Sequence, residues 1–315
     1  MISLEDVQQA RERIRPYIHE TPLLSSEQLS RELGVNLYFK AEHLQKVGAF
    51  KARGAANTVF SLTEQEAQRG VATHSSGNHG AALARAAQLR GIPAHVVVPE
   101  NANTTKVAAI EGYGAEIIRC ESTLEAREKT LAETVEKTGA VVVHPYDDPR
   151  VIAGQGTCAL EILEQMKSHR EKLTAVITPV GGGGLLAGTA TVMKAKSHAS
   201  VFGAEPSGAD DAYRSFQSGV RVTDHDPQTI ADGLRTTLGE HNFQIIQEAV
   251  DDILLVDEAE IVAAMRLIWT RLKQVIEPSS AVCLAALIKN RERFQGQTVC
   301  LVLTGGNVDL SNLPF

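Results

Sequence analysis

The chain has 315 residues, 43% of them hydrophobic, enough for a substantial core in one large domain or two closely associated ones. A formal net charge of −7, with no long run of Lys or Arg, argues against nucleic acid as a partner. The four cysteines, Cys120, Cys158, Cys283 and Cys300, form no C-x-x-C pair and have no neighbouring His at metal-ligand spacing, so they read as buried thiols.

In chain order, residues 1–20 are charged and helical in pattern and lack the unbroken apolar stretch of a signal peptide or membrane span. A cytoplasmic protein with no membrane partner is expected. Short apolar runs then alternate with helical stretches, the pattern of a parallel sheet covered on both faces, which predicts an α/β fold. Strands are expected just before Ser75 and from Ala94, Ala115, Ala140, Ala175, Val201 and Thr298. Small-residue helices are expected to open at glycines, one from Gly77 and one from Gly183. Strand, glycine-containing turn and helix start recur at Ser75–Gly80, at Gly181–Gly184 and, less completely, at Thr304–Asn307. Ligands of open α/β sheets bind at the carboxyl ends of strands, so these three turns are placed to converge on one ligand.

Three of these stretches carry chemistry. Gly181, Gly182, Gly183 and Gly184 are consecutive; without Cβ atoms they let backbone N–H groups and a helix dipole converge on an anion such as a phosphate. Neither a Walker A loop nor G-x-G-x-x-G fits here, and a plain flexible turn is the alternative. Lys51 sits in GAFKARGA, from Gly48, between an aromatic and small residues. A desolvated pocket there would lower its pKa for attack on a carbonyl, whereas on an amphipathic helix it would be a surface lysine. From Thr73, THSSGNHGAA crowds Ser75, Ser76, Asn78 and His79 before a helix, suiting either a substrate carboxylate or simple helix capping.

Taken together, the motifs resemble the fold type II pyridoxal-phosphate (PLP) enzymes, specifically the serine/threonine dehydratase and serine racemase branch, from about residue 5 to Leu310. The resemblance also rests on HPYDDPRVIAGQGT from His144, EPSGADDAYRS from Glu205, IADGLRTTLG from Ile230, IEPSSA from Ile276 and LTGGNVDL from Leu303. It implies a tryptophan synthase β-like fold of two open parallel-sheet α/β domains with the cofactor between them: a large PLP-binding domain, 1–69 plus 147–315, and a small mobile domain, 70–146. Lys51 is then the Schiff-base lysine and the base at Cα, and Phe50 packs on the ring. Asn78 approaches the ring hydroxyl, the four glycines hold the phosphate and Thr304 faces the ring nitrogen. Ser75, Ser76, Asn78, His79 and Arg127 become substrate residues, with Ser76 the acid and base of the opposite face. Arg127 also reads as a surface ion-pair residue of a charged helix.

The resemblance further implies that Glu205, the carbonyl of Ala209 and Asp211 bind a divalent cation, Mg, Ca or Mn; a solvated acidic turn is the alternative. Elimination of water from L-serine, L-threonine or L-threo-3-hydroxyaspartate is the implied reaction, with serine racemisation as the alternative and a homodimer as the implied assembly. Ala49 replaces the family's commoner Ser or Thr, Thr304 its commoner Ser, and Tyr146 stands where some racemases have an Asn for nucleotide. Glu277 is placed near the cofactor without a defined role. No carboxy-terminal regulatory domain of the kind carried by biosynthetic threonine deaminases is expected.

Overall fold

The computed structural model describes residues 1–102, 104–224 and 226–315. Among the described residues, ten strands fall into two sheets. The larger has the order β1 (Leu23–Ser25), β2 (Asn36–Lys40), β10 (Thr298–Val302), β7 (Ala175–Pro179), β8 (Ser200–Pro206), β9 (Asp252–Val256). Its pairs are parallel except β1 with β2. The smaller, β5 (Glu116–Cys120), β4 (Ala94–Pro99), β3 (Val71–His74) and β6 (Val141–Val142), is parallel throughout. The predicted α/β architecture of two parallel sheets is therefore present.

The two-residue period of the strands divides the larger core into layers. Val176, Val201, Ile253, Cys300 and Val302 face one layer with Ile152 and Leu186. Their neighbours Ile177, Phe202, Leu254 and Leu301 face the other with Met265 and Leu284. All four cysteines are free and buried, as their apolar settings predict.

Strands β1, β2 and β9 were not among the predicted ones. β2 ends in Lys40, a residue type that ordinarily signals a solvent-facing position, yet Lys40 is wholly buried. Its Nζ donates to Glu161 at 2.6 Å and to the carbonyl of Thr21 at 2.7 Å. Arg53, also wholly buried, forks onto Glu42 at 2.7 Å through two nitrogens and onto Glu161 at 2.7 Å through two nitrogens. Two cations and two carboxylates thus balance inside the core, tying the helix Lys51–Ser61 to the helix Pro149–Ser168 and to the turn after β2. Among the described residues, no helix is long and apolar enough to cross a membrane.

Candidate active site

The predicted lysine opens a helix, and the segment before it is fixed by the chain that leaves β10. Phe50 N–H donates to Thr304 O at 3.0 Å, Gly306 N–H donates to Gly48 O at 2.9 Å, and Ala49 bridges Gly305. Lys51 and Thr304 are thereby held in one backbone frame. Lys51 Nζ donates to Pro145 O at 2.8 Å, a carbonyl just beyond β6, and lies 5.1 Å from the Phe50 ring centroid. Burial lowers its pKa to about 8 against the opposing pull of the Glu277 carboxylate. The neutral, nucleophilic form is therefore more populated near neutral pH than in an ordinary lysine.

On the small-sheet side, β3 runs into Ser75–Gly77 and the helix Asn78–Arg90. Gly77 caps that helix without a side chain, so its first-turn N–H groups face the end of the helix. Ser75 and Ser76 are half-buried, and Ser75 Oγ accepts from Gly77 N–H at 3.4 Å. The buried ring of His79 turns away, with Nε2 3.2 Å from the carbonyl of Val143. A carbonyl only accepts, so Nε2 carries the proton, and burial followed by the charge of Lys51 pushes the pKa down to about 3. A neutral imidazole committed to Val143 leaves its backbone N–H as the part of His79 available to a carboxylate.

The glycine run follows β7. Gly183 takes a left-handed φ of 91° and starts the helix Gly184–Lys196, again without a side-chain cap. A Cβ on Gly182 would lie 2.1 Å from Tyr146 Cγ, so the tyrosine ring occupies the space that the missing side chain frees. Asn242 Nδ2 holds loop and tyrosine together, donating to Gly182 O at 2.7 Å and to Tyr146 O at 3.0 Å. Burial, then the charge of Asp147, pushes the Tyr146 hydroxyl up to about 12, so it stays protonated.

Thr304 is buried just past β10, with Oγ1 3.1 Å from Ser280 Oγ. Ser280 in turn donates to Gly305 O and accepts from Gly305 N–H, both at 2.8 Å. Arg127 lies half-buried on the helix Leu124–Thr138, its Nε donating to Thr123 O at 3.3 Å. It is close enough to His74, at the end of β3, to join burial in lowering that pKa.

Glu205, Ala209 and Asp211 sit apart, at the end of β8 and the start of the helix Asp211–Ser218, and all are buried. Glu205 accepts from the N–H groups of Ala212 at 3.0 Å and Tyr213 at 2.8 Å, and Asp211 accepts from Leu238 N–H at 2.7 Å. Burial, then the charge of Asp211, holds the Glu205 carboxyl well above the usual range. Among the described residues no group of three or more His, Cys, Asp or Glu is arranged to hold a metal; this set is two carboxylates and a carbonyl.

Several site residues escaped the sequence reading. Glu277 had a place but no partner, while Ser280, Asn242 and Asn307 had no assigned role. Ser280 and Asn307 stood inside motifs already singled out; Asn242 lies in an ordinary amphipathic helix and gave no signal.

The geometry defines a class first: an open α/β protein with a buried amine and a glycine-built helix start near the carboxyl ends of strands, an arrangement that suits a phosphorylated carbonyl cofactor. The family model described as "Pyridoxal-phosphate dependent enzyme" matches residues 14–305. A serine racemase of Dictyostelium discoideum is 49% identical, the match covering 99% of this chain and 97% of that protein. A beta-hydroxyaspartate dehydratase of Paracoccus denitrificans is 48% identical, over 99% of this chain and 98% of the relative. Among solved structures, a threonine deaminase from T.th. superimposes with a TM-score of 0.93 at 47% identity, covering 98% of this chain and 100% of that one. The chain belongs to the pyridoxal-phosphate dependent enzymes.

The residues present fit that cofactor. Two uncapped helix starts with free N–H groups suit its phosphate and a substrate carboxylate, the depressed lysine suits its aldehyde, and the buried Thr304–Ser280 hydroxyl pair suits its ring nitrogen.

Proposed function

We propose that the protein is a dehydratase eliminating water from a small β-hydroxy amino acid to give a 2-oxo acid and ammonia, and that the same site supports serine racemisation as a second reading. The observation that carries the first reading is the hydroxyl, rather than a carboxylate, that Thr304 offers beside Ser280. The bound cofactor supplies an electron sink for the pair left at Cα, and a neutral hydroxyl partner keeps that sink weak, so departure of a β-hydroxyl outruns the reprotonations of transamination. Lys51 Nζ would take the Cα proton, and its depressed pKa keeps it competent as a base near neutral pH. The Gly181–Gly184 N–H groups hold the phosphate, and the first-turn N–H groups of the helix Asn78–Arg90, with Ser75, orient the substrate carboxylate. Arg127, on the His74 side, adds positive charge for an acidic substrate. Bodies 1–69 with 147–315 and 70–146 close on the substrate, and two chains form a homodimer.

The relatives named as racemase and dehydratase support both readings, and Ser76, in the turn before the helix Asn78–Arg90, favours the second. The deciding assay measures oxo-acid formation from L-serine, D-serine, L-threonine and L-threo-3-hydroxyaspartate, with chiral analysis of residual serine. Strong preference for one substrate without D-serine selects the dehydratase; substantial D-serine selects the racemase. Ser76→Ala is expected to abolish interconversion of serine enantiomers and to leave elimination from the L-isomer within a few-fold. Equal loss of both would remove Ser76 from the racemisation role.

A divalent cation at Glu205, Ala209 O and Asp211 is the remaining part of the proposal. Two buried carboxylates beside one another are what a hard cation neutralises. Asp211 also binds Leu238 N–H, and a Cβ on Gly183 would meet Leu238 Cδ1 at 2.6 Å, so Leu238 lies between the set and the glycine loop. The folded-state pKa of Glu205 is raised, so in chelator its contribution is lost as pH rises through that value. Magnesium, calcium or manganese at about 100 times its Kd is expected to add about 2.7 kcal/mol, read as a higher Tm and a flatter pH dependence. Glu205→Gln should hold its Tm in chelator and lose the cation response. An unchanged wild-type Tm would place the cation elsewhere or nowhere.

A further inference from the structure

Asn242 is wholly buried in the first turn of the helix Glu240–Ala249, and its carboxamide nitrogen is committed to two other segments of the chain. Nδ2 donates to Gly182 O in the glycine loop at 2.7 Å and to Tyr146 O, beyond β6, at 3.0 Å. Its own Oδ1 is buried and, among the described residues, has no hydrogen-bond partner. A buried acceptor left unpaired destabilises a fold. Turning the carboxamide over would set its oxygen against both carbonyls, so the observed orientation leaves one acceptor unpaired in order to satisfy two.

Gly182 O is turned toward this helix by a second donor as well, Gly239 N–H at 3.1 Å. In a planar trans peptide the carbonyl and the next N–H point in opposite directions. Fixing Gly182 O therefore fixes Gly183 N–H on the far side, away from the helix Glu240–Ala249. A Cβ on Gly183 would lie 2.9 Å from Asn242 Cβ, so glycine is what lets the asparagine come this near. The helix that carries Asn242 is in turn tethered to the Tyr146 segment. Asp147 caps its start, accepting from Glu240 N–H at 2.9 Å and from His241 N–H at 3.0 Å. Asn242 thus sits in a fixed place and spans the glycine loop and the stretch that presents Pro145 O to Lys51.

We infer that Asn242 is a positioning residue: by holding Gly182 O it aims the N–H groups of the glycine loop at the phosphate of the cofactor. The inference rests on that loop being the phosphate seat. A hydrogen bond weakens steeply as its donor turns off line, so a Gly182–Gly183 peptide free to rotate gives up affinity for the phosphate. The aldehyde, which meets Lys51, is left as it was.

The test compares pyridoxal phosphate with pyridoxal, which carries the same aldehyde and no phosphate, on the full-length chain freed of cofactor. Absorbance of the lysine-linked form reports the binding of each. Asn242→Leu keeps most of the volume without the donors, and Asn242→Ala removes both. Each should weaken pyridoxal phosphate about tenfold, the scale of one hydrogen bond, and leave pyridoxal within about twofold. Inorganic phosphate, competing with pyridoxal phosphate, should weaken by the same factor. Ile245→Ala, a packing loss at a buried position of the same helix, should leave the ratio of the two aldehyde affinities unchanged. An unchanged ratio in the Asn242 variants, or equal weakening of both aldehydes, would overturn the inference. So would a drop in Asn242→Ala alone or an equal drop in Ile245→Ala, since either marks packing and not the donors. Equal affinity of the wild type for the two aldehydes would instead overturn the phosphate seat beneath it.

Discussion

Replacing Lys51 by alanine is expected to leave a folded protein that still takes up pyridoxal phosphate through the glycine loop but turns over no β-hydroxy amino acid. The lysine does two things at one atom. On the proposed reading its Nζ is the covalent attachment point and the same nitrogen the base at Cα, so the expected loss exceeds that of a base alone, at least about 10³-fold in kcat. The helix it opens is anchored elsewhere, by Phe50 N–H to Thr304 O and by Arg53, so the fold has no need of the side chain. Oxo acid and ammonia release, with absorbance of the mixture of protein and cofactor, read the two functions separately. Residual elimination within tenfold of wild type would move the chemistry to another group. Lys51→Arg keeps the charge but supplies no neutral amine and is expected to be equally inactive.

The second large effect falls on stability. Arg53→Met keeps most of the volume but strips Glu42 and Glu161 of their shared guanidinium, leaving two buried carboxylates with Lys40 alone. Breaking a buried ion network from one side costs roughly 3–5 kcal/mol, because the surviving charge stays desolvated. Burial alone would raise the Glu42 carboxyl; Arg53, then Lys40 and Thr21, win and hold it below its usual value. A depressed carboxylate gives stability that is present above its unfolded pKa and lost as pH falls through the folded one. The variant should therefore lose stability at a higher pH than the wild type during acidification. Urea unfolding at neutral pH and on an acid series reads both effects. A loss below about 1 kcal/mol, the range of exposed pairs, would show that water enters the site.

What the residues announced and what they concealed divide along physical lines. A glycine run after an apolar strand, and a lysine between small residues, are local signals, because backbone freedom and anion binding are properties of a few adjacent residues. His79 shows the limit of that logic: its place before a helix suggested a part in holding a carboxylate, and only the packing of β6 beside β3 decides that the ring turns to Val143. Lys40 shows the same limit in the core. A lysine reads as solvated until carboxylates 121 positions away, in the case of Glu161, are brought to it.

The sequence by itself determined the alternating α/β pattern and the three turns at strand ends, since each depends on period or backbone conformation within a short window. Tertiary structure decided which groups share a space. Asn78 and Glu277 are 199 positions apart, and Asn78 and Asn307 are 229 apart. No periodicity encodes such pairings; they arise when burying both sheets' apolar faces brings the strand ends together. The lowered pKa of Lys51 belongs to the same category, because burial comes from neighbours and not from the residue itself.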